Sequence, residues 1–249
     1  MKCTDYMEHY RRDAEEYQYR QPEESAAGQI ERRRAEIIRR SLDRSTLDGG
    51  LVLDIGSGGG TLLCELARAG ALPAGLDIPI LNLKKIRDRF QENNQGKPLL
   101  VSGDACRLPF LDNSIDALVF SEILEHLNEP EKAIKEASRV LKPGGRMIIS
   151  VPYRERIIHH LCIHCNKPTP ANAHLHSFDK TSFHKMLSDL PLKIEKEICY
   201  HNKLLCLLDA PRRMRAFPYF IWRFLDSFAN FFIRKQHFLL LSVRKKGSE

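Results

Sequence analysis

The chain has 249 residues but no run of apolar side chains long enough to serve as a bilayer span. The first twenty, MKCTDYMEHYRRDAEEYQYR, are polar and lack the apolar segment of a secretory leader. Cysteine is sparse and odd in number, seven scattered residues, which argues against a disulfide framework and for a reducing cytosol. No internal repeat, low-complexity tract or recognisable RNA- or DNA-binding motif is present, so a nucleic-acid partner is not expected. Acid is also in deficit: 32 acidic against 39 basic residues give a net charge of +7, with much of the excess late in the chain, at Arg212, Arg213, Arg215, Arg223, Arg234 and Lys235 among others. A solvated basic face accounts for that, and an anionic partner or membrane surface is the alternative.

What is there is an ordinary globular composition, 43% hydrophobic and 29% charged, enough for one sizeable core. We expect a single domain with four parts: an N-terminal lid or helix over 1–45, a cofactor-binding core over 46–152, a Cys/His-rich insertion over 153–179 and a C-terminal part over 180–249. Within the core, strand and helix signals alternate. LVLDI (51–55), AGLDI (74–78), PLLVSGD ending at Asp104, IDALVFS (115–121) and RMIISVP (146–152) read as strands, separated by helical segments such as TLLCELARAG and PEKAIKEASRVL. Such alternation predicts an α/β, doubly wound and mainly parallel sheet of seven strands, Rossmann-like, with helices on both faces. The last two strands, LKIEKEICY and HFLLLSVRKK, lack a parallel crossover between them, and an antiparallel last strand is expected.

The stretch VLDIGSGGGTLL carries the first chemistry. A strand ending in Asp54 enters a helix through Gly56, Ser57, Gly58 and Gly60, which places bare backbone at the carboxyl end of a parallel sheet, where such folds bind nucleotide-like ligands. A dinucleotide fingerprint would place its third glycine at position 61, which is threonine. Asp54 beside the turn suits a cationic or zwitterionic ligand. Asp77 closes the second strand, where an acid can accept both ribose hydroxyls, and Asp104 closes the third, placed to accept from an adenine amino group with Leu108 and Pro109 covering the ring.

With VLDIGSGGG, GLDI, GDACRLPFLDNSIDALVFSEILEHL and RVLKPGGRMIISVP in that order between Leu51 and Pro152, the sequence resembles class I S-adenosylmethionine-dependent methyltransferases of the quinone and small-molecule type. The resemblance implies that Asp54 and the glycines hold the methionine part of S-adenosylmethionine, Asp77 the ribose, and Asp104 with Ala105 the adenine. Ile78 and Ser57 join this set, and Ser121 lines the methyl-transfer channel. The expected activity is methyl transfer to a small-molecule or lipid-like acceptor, at oxygen. The alternatives are a catalytically silent fold that binds cofactor or a partner, and an NAD-dependent oxidoreductase.

Transfer from a sulfonium is an in-line displacement, so alignment matters most, and a hydroxyl acceptor also needs a base; His126 is the candidate. Glu122, Glu125 and His126 fall at i, i+3 and i+4 and, on a helix, would converge on one divalent cation, a pattern similar to that of ubiquinone-pathway O-methyltransferases and small-RNA terminal methyltransferases. In the insertion, Cys162 and Cys165 with His174 and His176 have the donors of a structural Zn2+ site, against which stands a loop whose histidines are exposed or line the acceptor pocket.

Residues 217–235 form an amphipathic helix, with apolar residues at 217, 220, 221, 224, 225, 228, 231 and 232 and with Arg223, Asp226, Ser227 and Asn230 opposite. Packing on the domain is the expectation for it. Contact with a membrane surface, or cover for an apolar acceptor, is the alternative. The protein is thus expected in the cytoplasm, with a peripheral membrane position open.

Overall fold

The computed structural model describes residues 6–16, 21–163 and 166–247. Two helices lead, α1 (Tyr6–Glu16) and α2 (Ala26–Arg40), then the short α3 (Arg44–Leu47). Ser25 starts α2 by accepting from the Gly28 N–H through its hydroxyl, which satisfies one of the first-turn donors. The alternating core follows: β1 (Leu51–Ile55), α4 (Thr61–Arg68), β2 (Leu72–Asp77), α5 (Ile80–Glu92), β3 (Leu99–Ser102), β4 (Ile115–Ser121), a single 3-10 turn at Leu124–His126, α6 (Pro130–Val140) and β5 (Leu141–Pro152). A hairpin of β6 (His159–Leu161) and β7 (Pro168–Pro170) leads to α7 (Lys180–Leu187) and β8 (Leu192–Asn202). The chain then runs through α8 (Lys203–Leu207), α9 (Ala210–Arg213), α10 (Tyr219–Ile233) and β9 (Gln236–Lys245).

The main sheet has the order β3-β2-β1-β4-β5-β9-β8, parallel throughout except for β9, which runs antiparallel to both neighbours. The order reverses at β1, flanked by β2 and β4, and a crevice opens there at the carboxyl ends of the strands. Successive residues of the central strands serve opposite faces. Leu118 and Phe120 of β4 pack with Ala133, Ile134 and Phe183 beneath α6 and α7, while Ala117 and Val119 pack with Ile37, Ile38 and Leu66 beneath α2 and α4. The near-continuous apolar runs read as strands follow from this burial on both sides. The KPGG segment is a bulge within β5 rather than a separate turn: Leu141 pairs with Ile115, and pairing resumes at Arg146 with Ala117.

The amphipathic helix is mounted inside out relative to packing by its apolar face. α10 sits against β8 through Trp222, Asp226, Ala229 and Asn230, all buried, while its phenylalanines face outward. The reason is polar. The left-handed His201 (φ 52), next to last in β8, has an N–H that donates to Asp226 Oδ2 at 3.2 Å. Arg223 Nη1 reaches the same oxygen at 2.8 Å, and Asn202 Nδ2 donates to Asn230 Oδ1 at 3.0 Å. Buried groups with such partners need each other, and the helix orients to supply them. Among the described residues no helix is long and apolar enough to cross a membrane.

Candidate active site

The turn after β1 is fixed by three amide contacts. Gly56 and Ser57 donate to Leu76 O at 2.8 and 3.2 Å, and Gly58 donates to Asp77 Oδ2 at 2.8 Å. Gly56 and Gly60 each hold φ at 72°, in the left-handed region, and an added Cβ would stand 2.8 Å from Ile123 Cδ1 and 2.9 Å from Ile86 Cγ1 respectively. Gly56, Ser57 and Gly58 line a cleft of ≈ 780 Å³ at the switch point, a volume suited to a nucleotide-sized ligand. Gly60 does not: it is the N-cap of α4, packed on Ile86, and shapes the turn from behind. Across the cleft lies α1, contributing His9, Tyr10 and Asp13 to the wall. It is tied down where the Tyr10 hydroxyl donates to His126 O at 3.1 Å and Lys85 Nζ to Ala14 O at 3.0 Å.

Asp54, 4% exposed, lines the cleft, and burial first and the Asp77 charge second push its pKa up to about 8. Burial also raises Asp77, against the lowering effect of its bonds from Gly58 and from Asn82 Nδ2. Two neighbouring acids on one wall, Asp54 buried and Asp77 half-buried, favour a cationic ligand, which would restore both charged forms. Ile78 and Ser121 lie on the cleft wall. The third strand end differs in part. Ala105 reaches the cleft beside Gly103, but Asp104 is off the wall, its Oδ1 accepting from the Cys106 N–H at 2.8 Å. Leu108 is buried in the core and Pro109 is exposed, and neither lines the cleft; Ile78, Pro79 and Leu127 are among its apolar lining residues.

A second cavity of ≈ 540 Å³ shares Arg34, Glu122, His126 and His174 with the first. Glu122 follows β4 in the left-handed conformation (φ 56), a strained state for a residue with a side chain. Its Oε1 accepts from Ser150 Oγ at 2.7 Å, and Arg34 Nη2 lies 3.5 Å from Oε2. Arg34 Nε also donates to the Tyr200 hydroxyl at 3.3 Å, which meets Ser150 Oγ at 2.7 Å. Sequence reasoning missed Arg34, although it falls on the Ile30–Ile37–Ile38 stripe of α2, where a charge needs a buried partner.

The expected trio of Glu122, Glu125 and His126 does not form, because residues 124–126 make a 3-10 turn that Glu122 precedes, so α-helical spacing fails. Donor atoms of Glu125, His126 and His174 instead lie within 4.8 Å of one another. Glu125 is 1% exposed, and neither carboxylate oxygen has a hydrogen-bond partner. Its pKa is held well above the usual carboxylate range, by burial and then by Glu122. His126 Nδ1 is likewise buried and unpartnered, and burial, then His174, pushes the pKa down to about 4. The His174 ring stands edge-on to His126 at 4.6 Å, and its Nδ1 bonds the Glu155 carboxylate. This donor set suits a divalent cation.

His174 arrives there because Asn172 and Ala173 are both left-handed (φ 57 and 56), which carries the chain out of the β6–β7 hairpin to the cleft. The zinc set of Cys162, Cys165, His174 and His176 is not gathered among the described residues. Cys162 stays at the hairpin tip, its N–H donating to Lys167 O at 3.0 Å; His176 Nε2 bonds Leu127 O at 2.8 Å; and Cys165 lies outside the described residues.

Residues 53–149 match the family described as methyltransferase domain. Over 102 residues the chain is 39% identical to the demethylmenaquinone methyltransferase of Renibacterium salmoninarum, a match covering 41% of each chain. The chain thus spans less than half the length of the curated relatives it matches. Among solved structures it is similar to the cyclase SpnF, with a TM-score of 0.65 at 19% identity over 87% of this chain and 81% of that one. It is also similar to an S-adenosylmethionine-dependent methyltransferase from Mesorhizobium loti, with a TM-score of 0.60 at 17% identity over 84% and 96%. At these identities the structural likeness is one of fold, which the cyclase and the methyltransferase share. Residues 53–149 thus carry the sequence match to the methyltransferase-domain family, and the fold around them is one that solved S-adenosylmethionine-dependent methyltransferases also have.

Proposed function

We propose that this chain transfers a methyl group from S-adenosylmethionine to an oxygen of a small, lipid-like acceptor of the quinone type. The single observation that carries the reading is the contact between the two cavities: a cofactor-sized cleft opens directly onto a buried carboxylate and imidazole. The name of the Renibacterium relative, a demethylmenaquinone methyltransferase, supports a quinone-type acceptor. When bound, the sulfonium supplies an electrophilic methyl, and the protein's task is alignment. Asp54 balances the ligand's positive charge, Asp77 accepts from ribose hydroxyls, and Ser121 borders the transfer path. α1, acting as a lid, excludes water. His126, a neutral imidazole at pH 7 because burial pushes its pKa down to about 4, is the base and takes the acceptor hydroxyl's proton through Nδ1. Glu125, with a donor atom within 4.8 Å of it, stabilises the imidazolium that forms. The apolar outer face of the 217–235 helix would make the peripheral membrane contact.

The test is methyl transfer from labelled S-adenosylmethionine to a panel of hydroquinones with and without isoprenoid tails. Label on a hydroxyl, with turnover about 100-fold lower in Glu125→Gln, is expected. Label on no acceptor from protein that binds S-adenosylmethionine would favour the catalytically silent alternative.

A further inference from the structure

The outward face of α10 is apolar, and so are residues of its neighbour α8. Phe220, Phe224, Phe228, Phe231 and Phe232 are 70, 68, 56, 72 and 65% exposed, and Leu207 at the end of α8 and Leu208 after it are exposed as well. The rings form a ridge: Phe224 to Phe228 at 6.4 Å, Phe228 to Phe232 at 4.6 Å, Phe231 to Phe232 at 5.1 Å. A contiguous apolar patch of this kind marks an interaction surface. The helix has the means to bury these rings and does not, because its Asp226 and Asn230 are locked to His201, Asn202 and Arg223 beneath.

Charge identifies the occupant. Residues 203–235 hold seven basic side chains (Lys203, Arg212, Arg213, Arg215, Arg223, Arg234, Lys235) and two acidic ones. Both acids are already paired, Asp226 with Arg223 inside and Asp209 with Arg212. An aromatic ridge fringed by uncompensated arginine and lysine is complementary to anionic headgroups over hydrocarbon. Position agrees. Lys203, first residue of α8, lines the second cavity with Glu125, His126 and His174, and its N–H donates to Lys235 O at 2.8 Å, just beyond the last turn of α10. The start of α8 and the end of α10 therefore lie beside the second cavity.

We propose that α8 and α10 are a membrane-docking face, which seats the chain on an anionic bilayer with the phenylalanine ridge in the lipid and the acceptor cavity opening beside it. Only the purpose of docking, uptake of a lipid-like acceptor, rests on the proposed function; the docking itself does not.

The experiment is flotation of the full chain with vesicles of phosphatidylcholine alone and of phosphatidylcholine with 30% phosphatidylglycerol, about that fraction serving to set a negative surface potential. The wild type floats with the anionic vesicles, less so in high salt. Phe224→Ser/Phe228→Ser/Phe231→Ser, which alters only exposed side chains, loses at least about tenfold in partitioning, and Arg212→Glu/Arg213→Glu loses the preference for anionic lipid. S-adenosylmethionine affinity, measured on the same samples, is unchanged in both variants, so a failure of the cofactor reading would show separately. Wild type that stays in solution with anionic vesicles overturns the proposal. So does a wild-type dimer in analytical ultracentrifugation that the triple variant converts to monomer, since a second copy would then be what covers the ridge.

Discussion

Asp54→Asn should make the protein more stable and less functional at the same time. Between the ordinary 3.8 of an aspartate and about 8 in the folded chain lie roughly four pH units, or about 5–6 kcal/mol of burial penalty on the charged form. The folded chain keeps a proton on Asp54 that the unfolded chain releases near pH 3.8. Stability contributed at this site is therefore full below about pH 4 and falls as pH climbs to about 8. Asparagine, neutral throughout, removes that slope. Relaxation and water entry reduce the gain, so about 1–3 kcal/mol at pH 8.5 is expected, and none near pH 4. At about 2–4 °C per kcal/mol for a chain of this size, scanning calorimetry at the two pH values resolves it. The amide cannot balance a cation, so S-adenosylmethionine affinity should fall at least about tenfold, some 1.4 kcal/mol. A variant that melts no higher than wild type at pH 8.5 would refute the burial argument. Unchanged affinity would refute the contact.

Arg34→Met leaves the half-buried Glu122 with Ser150 as its remaining partner and should lower urea stability by about 2–3 kcal/mol, less than a fully buried pair because both side chains are partly exposed; a loss below about 0.5 kcal/mol, the scatter for surface substitutions, would show the network to be incidental. Gly60→Ala meets both a left-handed φ and the Ile86 side chain, and about 2 kcal/mol of destabilisation is expected by the same measurement, without a loss in ligand affinity beyond what instability explains. Calorimetric titration with Mn2+ should show one site in wild type and none in His174→Ala or Glu125→Gln; equal binding by all three would place the cation elsewhere.

The core was legible because parallel strands buried on both faces leave apolar runs, and because Gly56, Gly58, Asp54 and Asp77 must sit where a strand becomes a turn. Their spacing is local, and so is the information. What was not legible depends on contacts distant in sequence or on unusual backbone. His174 joins Glu125 and His126 only because Asn172 and Ala173 turn left-handed, and Glu122 drops out because a 3-10 turn replaces a helix. Amphipathicity located α10 correctly but does not specify which face turns inward. That was decided by the backbone N–H of His201 and the side chain of Asn202, more than twenty residues earlier. Arg34 was visible as a charge on an apolar stripe, a signal that asks for a buried partner without naming it.

Calorimetric titration of the purified chain with S-adenosylmethionine, S-adenosylhomocysteine and NAD in parallel tests the central claim most directly. Binding of the first two near micromolar strength, about −8 kcal/mol, with none of NAD, is the predicted result. Binding of NAD alone, or of none of the three, would contradict the assignment of the cleft.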